Sequence, residues 1–259
     1  MILRHFLRKT VLDILGTFSK PKVGMHIINM HFITPDIISQ LKHQKLFAEF
    51  LSFLNKKCDI IDFKDSHEYI INSKNITKPT VSLSFDDGYE ECASIIAPIL
   101  KKANIKAGFF INSNFIESNI TYQESFFNRI KINTKLPMNW HQVESLNNEG
   151  HTIGSHTLDH YNLADLNEEE AIRQCLIDKK NISSKLGINI DHFAWPYGEK
   201  KHITDVLVDE LSKNFRFIYS GTNYKNYFSF NNKVINRRHI EPNWSKKHIK
   251  YFLSTTKNV

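Results

Sequence analysis

Two short stretches carry the residue types that hydrolytic chemistry needs. Ser84-Phe85-Asp86-Asp87-Gly88 sets two carboxylates side by side, and about seventy residues on, Gly154-Ser155-His156-Thr157-Leu158-Asp159-His160 sets two imidazoles four residues apart. One carboxylate and two imidazoles make a donor set for a divalent cation, and the second carboxylate is left to act as a base on a bound water. Each stretch is weak alone. Asp-Gly is a common turn, and Asp87 could serve as a turn or cap residue. With 13 histidines in 259 residues, a pair at this spacing arises readily by chance, and the Glu that follows the first His in the zinc-protease motif is absent.

Placement strengthens them. Val81 to Phe85 alternates in strand fashion and stops at the Asp-Asp-Gly turn; His151 to Gly154 is a short strand running into the His pair; Phe193-Ala194-Trp195 is a strand that meets Pro196-Tyr197-Gly198. Further strands are expected at Gly24–Met30, 107–111 and 215–220. Helices are expected at 2–18, 37–54, 93–102, Trp140–Asn148 with Gly150 ending it, Glu168–Leu186 closed by Gly187, 203–214 and 246–255. Strands alternating with helices argue for βαβ units and a parallel sheet or barrel, in which the C-terminal strand ends line one face. Asp86, Asp87, His156 and Tyr197 all follow such ends.

In combination these residues resemble the polysaccharide deacetylases of carbohydrate esterase family 4. The resemblance rests on three ordered blocks: Thr80 to Glu90 with Ala97–Lys102 and Lys106–Ile111 behind it, Trp140 through His160, and Phe193 to Gly198. It covers residues 77–225, with a fainter echo at Asn29-Met30-His31. It implies a distorted (β/α) barrel, α/β in class, and a single domain over 1–259 with an N-terminal helix/strand extension and a basic C-terminal helix. It further implies Asp87, His156 and His160 as ligands of one divalent metal, usually Zn2+. Asp86 would be the general base, and the Tyr197 backbone N–H would help hold an oxyanion. Two departures stand out. Many members carry an Arg two positions before the Pro-Tyr pair, where this chain has Ala194. The block that supplies the general acid has no clear copy; His239, in Arg237-Arg238-His239-Ile240, is the nearest, and a phosphate-facing or structural role is equally open to it. His31 follows a strand and could face the pocket. Trp140 and Trp195 could stack on a sugar, and Arg238 could meet the substrate; core aromatics are the commoner outcome.

The implied activity is hydrolysis of an N-acetyl group on an amino sugar. O-acetyl esters or other N-acyl groups are the alternative within the same chemistry, and a non-catalytic sugar-binding protein is the alternative outside it. The charge is +7, concentrated at the ends: residues 200–259 hold twelve Lys/Arg against four Asp/Glu, and residues 1–25 hold five against one. Basic ends suit an anionic partner, either a nucleotide- or lipid-pyrophosphate-linked sugar precursor of surface-glycan biosynthesis or an anionic membrane face. No nucleic-acid-binding motif is present. Residues 2–18 read as an amphipathic helix with Leu3, Phe6 or Leu7, Val11, Ile14 and Phe18 on one face and Arg4, Arg8 and Lys9 opposite. That stripe suits either an interfacial helix or one packed on the barrel. There is no signal-peptide h-region, and Cys58, Cys92 and Cys175 form no C-x-x-C, so free thiols and a cytoplasmic location, peripheral to the inner membrane at most, are expected. Oligomeric state leaves no trace in the sequence.

Overall fold

A computed structural model describes residues 2–72, 76–132 and 135–258, with side chains from Thr10 onward. Strands β1 (Gly24–Met30), β2 (Asp59–Ile60), β3 (Pro79–Phe85), β4 (Gly108–Ile111), β5 (Thr152–Ser155), β6 (His192–Ala194), β7 (Phe217–Ser220), β8 (Phe228–Ser229), β9 (Val234–Asn236) and β10 (Arg238–His239) form one sheet. Its order is β10-β1-β3-β4-β5-β6-β7-β9-β8, with β2 alongside β3. Every pairing is parallel except β8 with β9. Residues 234–239 pair with β7 through β9 and with β1 through β10, so one bent segment draws the two ends of the sheet together. The result is the expected distorted α/β barrel.

Strands buried on both faces read as continuous apolar or small-residue runs, which is why β1, β3, β4 and β5 were legible. Inside the barrel, Met25, Ile27, Phe63, Phe110, Ala194, Tyr219, Tyr227 and Ile235 pack together; the larger core lies between the sheet and the helices. The helices are α1 (Ile2–Phe18), α2 (Gln40–Asn55), α3 (Ser66–Ile71), α4 (Ala97–Lys102), α5 (Ile120–Ile130), α6 (Trp140–Asn148), α7 (Glu168–Leu186), α8 (Asp205–Leu211) and α9 (Lys246–Leu253). A π-helical turn, Cys92–Ile96, leads into α4. α6 starts with a capping box between Asn139 and Gln142, and α7 ends on Gly187 at φ 66°. The three cysteines are free and buried. Among the described residues no helix is long and apolar enough to cross a membrane.

The described part of the predicted apolar stripe of α1 does not cap the barrel. Val11, Ile14 and Phe18 are exposed, as is Leu15; the side chains of Leu3, Arg4, Phe6, Leu7, Arg8 and Lys9 lie outside the described residues. The opposite side of the helix packs on α9, with Gly16 against the Lys247 backbone.

Candidate active site

The C-terminal ends of β1, β3, β5, β6, β9 and β10 meet at one rim, where Asp86, Asp87, His156, His160, Tyr197, His31 and His239 gather. Asp86 and Asp87 follow β3. The Asp87 backbone sits at φ 75°, a left-handed conformation seldom held by a non-glycine residue outside a constrained site. His156 follows β5, and the link to His160 is no helical turn: Thr157 at φ 72° and His160 at φ 58° fold the segment into a tight loop. The loop brings His156 Nε2 to 3.5 Å and His160 Nε2 to 3.2 Å from Asp87 Oδ1. Behind it, the Asn112 amide donates to the Thr157 carbonyl at 2.9 Å, and Asp178 accepts from Ser155 Oγ at 2.6 Å and from the His156 N–H at 3.2 Å.

The donor atoms fit a divalent cation. The ligating atoms of Asp87, His156 and His160 lie within 4.8 Å of one another, all three residues are buried, and Asp87 Oδ1 makes no hydrogen bond. A buried carboxylate oxygen without a donor is costly unless something else satisfies it. His156 Nδ1 is 2.7 Å from the Ala194 carbonyl, which accepts its proton and leaves the Nε2 lone pair for the site. Burial lowers the pKa of His160 despite the opposing charge of Asp87, so the ring stays neutral as a ligand must.

Ala194 is a small buried residue of the barrel interior and offers Asp86 no charge. The guanidinium comes from elsewhere. Arg237, at the bend between β9 and β10, points into the barrel and meets Asp86 with two parallel bonds, Nη1 to Oδ1 and Nη2 to Oδ2, both 2.8 Å. Its Nε donates to the Ser220 carbonyl at 2.8 Å, and its Cζ lies 4.9 Å from the Phe110 ring centre. Burial pushes Asp86 up, but Arg237 overrides it, with His156 and His31 adding to the effect, and the carboxylate stays ionised.

His31 and His239 share one buried carboxylate. Glu241 Oε1 lies 2.7 Å from His31 Nδ1 and 2.9 Å from His239 Nε2, while Oε2 accepts the His31 backbone N–H at 3.2 Å. Burial opposes charging His31, yet the Glu241 bond and the charges of Glu241, Asp87 and Asp86 raise its pKa to about 9. These histidines, Asp87, His160 and Tyr197 line a cleft of about 400 Å³ whose other walls include Phe32, Ile130 and Trp244.

Three expected substrate contacts are elsewhere. Trp195 is buried and donates Nε1–H to the Glu199 carbonyl at 3.1 Å, so its ring belongs to the core. Trp140 starts α6 outside the barrel, with Lys185 5.5 Å from its ring centre. Arg238 turns away from the cleft and pins the C-terminal segment, donating to the Phe252 carbonyl at 2.7 Å and Thr255 Oγ1 at 2.6 Å. Trp244, which no sequence pattern singled out, is the tryptophan that lines the cleft, its ring 5.2 Å from that of His239. Tyr197 is half-exposed at φ 62°, its ring 5.0 Å from His160. Its turn depends on Gly198, where a Cβ would fall 2.1 Å from the Gly221 Cα.

A family model described as polysaccharide deacetylase matches residues 73–214. A peptidoglycan-N-acetylglucosamine deacetylase of Bacillus cereus is 33% identical over 123 residues, a segment that is 47% of this chain and 38% of that protein. Among solved structures, IcaB from Ammonifex degensii aligns over 92% of this chain and 100% of its own, with a TM-score of 0.70 and 18% identity. A de-N-acetylase from Aggregatibacter actinomycetemcomitans aligns over 88% and 99%, with a TM-score of 0.66 and 20% identity. At these identities the two structures speak to the fold.

Proposed function

This chain belongs to the polysaccharide deacetylase family, and we propose that it hydrolyses the N-acetyl group of an amino sugar at the rim where Asp86, Asp87, His156 and His160 meet. The observation that carries the reading is the pairing of an orphaned buried Asp87 oxygen, flanked by two imidazoles, with a neighbouring carboxylate that Arg237 keeps ionised. Asp87, His156 and His160 would hold a divalent cation, Zn2+ by the chemistry of the donor set, which supplies Lewis-acid polarisation of the carbonyl and makes a bound water more acidic.

The chain's own residues then divide the proton work. Asp86 accepts the proton of the attacking water; the two bonds from Arg237 fix the carboxylate plane while lone pairs remain on both oxygens. His31 is the better placed donor to the departing amine. Glu241 holds its Nδ1–H and leaves Nε2–H as the proton to give, and the raised pKa keeps it charged near neutrality. His239 Nε2 lies 2.9 Å from the same Glu241 oxygen and helps hold it in place. The Tyr197 backbone N–H is assigned to the developing oxyanion. Trp244 and Phe32 offer faces for a sugar ring in place of Trp140 and Trp195.

A cleft histidine kept protonated favours amide over ester hydrolysis, since an amine leaves only once protonated whereas an alkoxide leaves more readily. The sugar carrier is less constrained. Of the basic residues in 200–259, Arg237, Arg238 and Lys257 are buried and committed within the fold, which weakens the charge argument for a pyrophosphate-linked precursor. The test is acetate release from free oligomers of N-acetylglucosamine, nucleotide-linked N-acetyl sugars and O-acetylated sugars, with and without added Zn2+. Release from N-acetylated sugars only in the presence of metal is expected. Release from O-acetyl esters alone would move the reading to an esterase, and no release from any of the panel would favour a binding protein.

A further inference from the structure

We propose that α1 and the start of α9 form a docking surface for an anionic lipid bilayer. Val11, Ile14, Leu15 and Phe18 recur at the three- and four-residue spacing of one helical face, and they are 52%, 58%, 45% and 85% exposed. The helix is not loose. Its other side is fastened to α9: Asp13 Oδ1 lies 3.1 Å from His248 Nε2 and 3.4 Å from Ser245 Oγ, Lys250 Nζ donates to the Thr17 carbonyl at 3.2 Å, and Lys22 N–H to the Leu253 carbonyl at 2.9 Å. At Gly16 a Cβ would stand 2.1 Å from the Lys247 carbonyl oxygen, so the two backbones touch. The fold therefore spends specific contacts to hold an apolar stripe facing water.

Charge selects the occupant. Lys20, Lys22, Lys246 and Lys247 are exposed around this helix pair, and none forms an ion pair with a described residue. A helix pair that combines an exposed apolar stripe with exposed lysines complements an anionic membrane surface. A second copy seated on the same face would bring like charges together.

The direction of α1 ties this surface to the cleft. Asp13, Thr17 and Lys22 meet Ser245, Lys250 and Leu253 in the same order, so α1 and α9 run parallel. The helical residues ahead of Asp13 extend about 16 Å past the start of α9, at 1.5 Å per residue. That end of α9 follows Asn243 and Trp244, which line the cleft. A bilayer bound to α1 would thus lie beside the cleft mouth, where a lipid-attached saccharide could reach it.

Flotation of the full chain with phosphatidylglycerol-containing or pure phosphatidylcholine vesicles tests this independently of acetate release from soluble sugars. Binding to the anionic vesicles is expected, weakening as salt rises. Ile14→Glu and Phe18→Glu should each weaken it at least about tenfold. Lys246→Glu with Lys247→Glu should remove the preference for anionic lipid. Melting temperatures and metal content should match the parent in all variants, since these side chains are exposed. Failure of the parent to bind anionic vesicles at low salt overturns the proposal. So does unchanged binding of both apolar variants, or a dimer without vesicles that those variants abolish.

Discussion

Arg237 and Asp86 are 151 positions apart in the chain and face each other through two parallel hydrogen bonds of 2.8 Å inside the barrel. Arg237→Lys keeps the charge but loses the fork, and should lower kcat by at least about tenfold with a smaller change in KM, because the base is misaligned and not removed. With a weaker hold the Asp86 carboxyl rises, so the acid limb of the pH-rate profile should move toward neutrality. A profile and kcat matching the parent would show that the pair is structural.

The donor set makes a separate prediction. His156→Ala and His160→Ala should each lose stoichiometric Zn2+ on dialysis, measured by elemental analysis of purified protein. Asp86→Asn should retain the metal and lose about 10²-fold in kcat, the usual scale for general-base catalysis. Metal content unaffected by either His substitution would remove Asp87, His156 and His160 as a site.

The legible and the hidden parts of the site differ in where their partners come from. Asp86, Asp87, His156 and Tyr197 each sit directly after a buried strand, so local patterning placed them on one rim. Arg237 could not be placed that way. Arg237 and Arg238 look alike in sequence, yet the bend between β9 and β10 sends one guanidinium to Asp86 and the other to Thr255. Strands β8 to β10 have two or three residues each, too few for period-two alternation to register. The tryptophans fail for the same reason: Trp140, Trp195 and Trp244 are chemically identical, and barrel closure alone decides which one lines the cleft. α3 is six residues long, too short for a helical period to register, whereas Tyr122, Phe126 and Ile130 in α5 do fall at a helical spacing.

Buried neutral histidines predict acid lability. Burial, with the charge of Arg238 adding to it, pushes the His26 pKa down from 6.5 to about 3. The unfolded chain binds this proton below about pH 6.5 and the folded chain does not, so stability is intact above that value and falls as pH drops toward 3. Replacing His26 with Gln, which can still donate to the Lys22 carbonyl, should flatten the fall by about 1.4 kcal/mol per pH unit in urea titrations between pH 6 and 4. A slope identical to the parent's would mean that other groups carry the acid response.

The two histidines on Glu241 can be told apart by how each loss appears. If His31 donates the proton, His31→Gln should cost at least about 10²-fold in kcat on an N-acetyl substrate. It should also erase the alkaline limb of the rate profile, which in the parent reflects loss of the His31 proton well above the ordinary imidazole range. The loss should be much smaller on an acetate ester with a good leaving group, where no proton is needed. His239→Gln removes one of the bonds to Glu241 but leaves the 2.7 Å contact to His31, so the cost should be severalfold, with the alkaline limb kept. If the large, leaving-group-dependent loss appears in His239→Gln instead, the acid is His239 and His31 becomes its support.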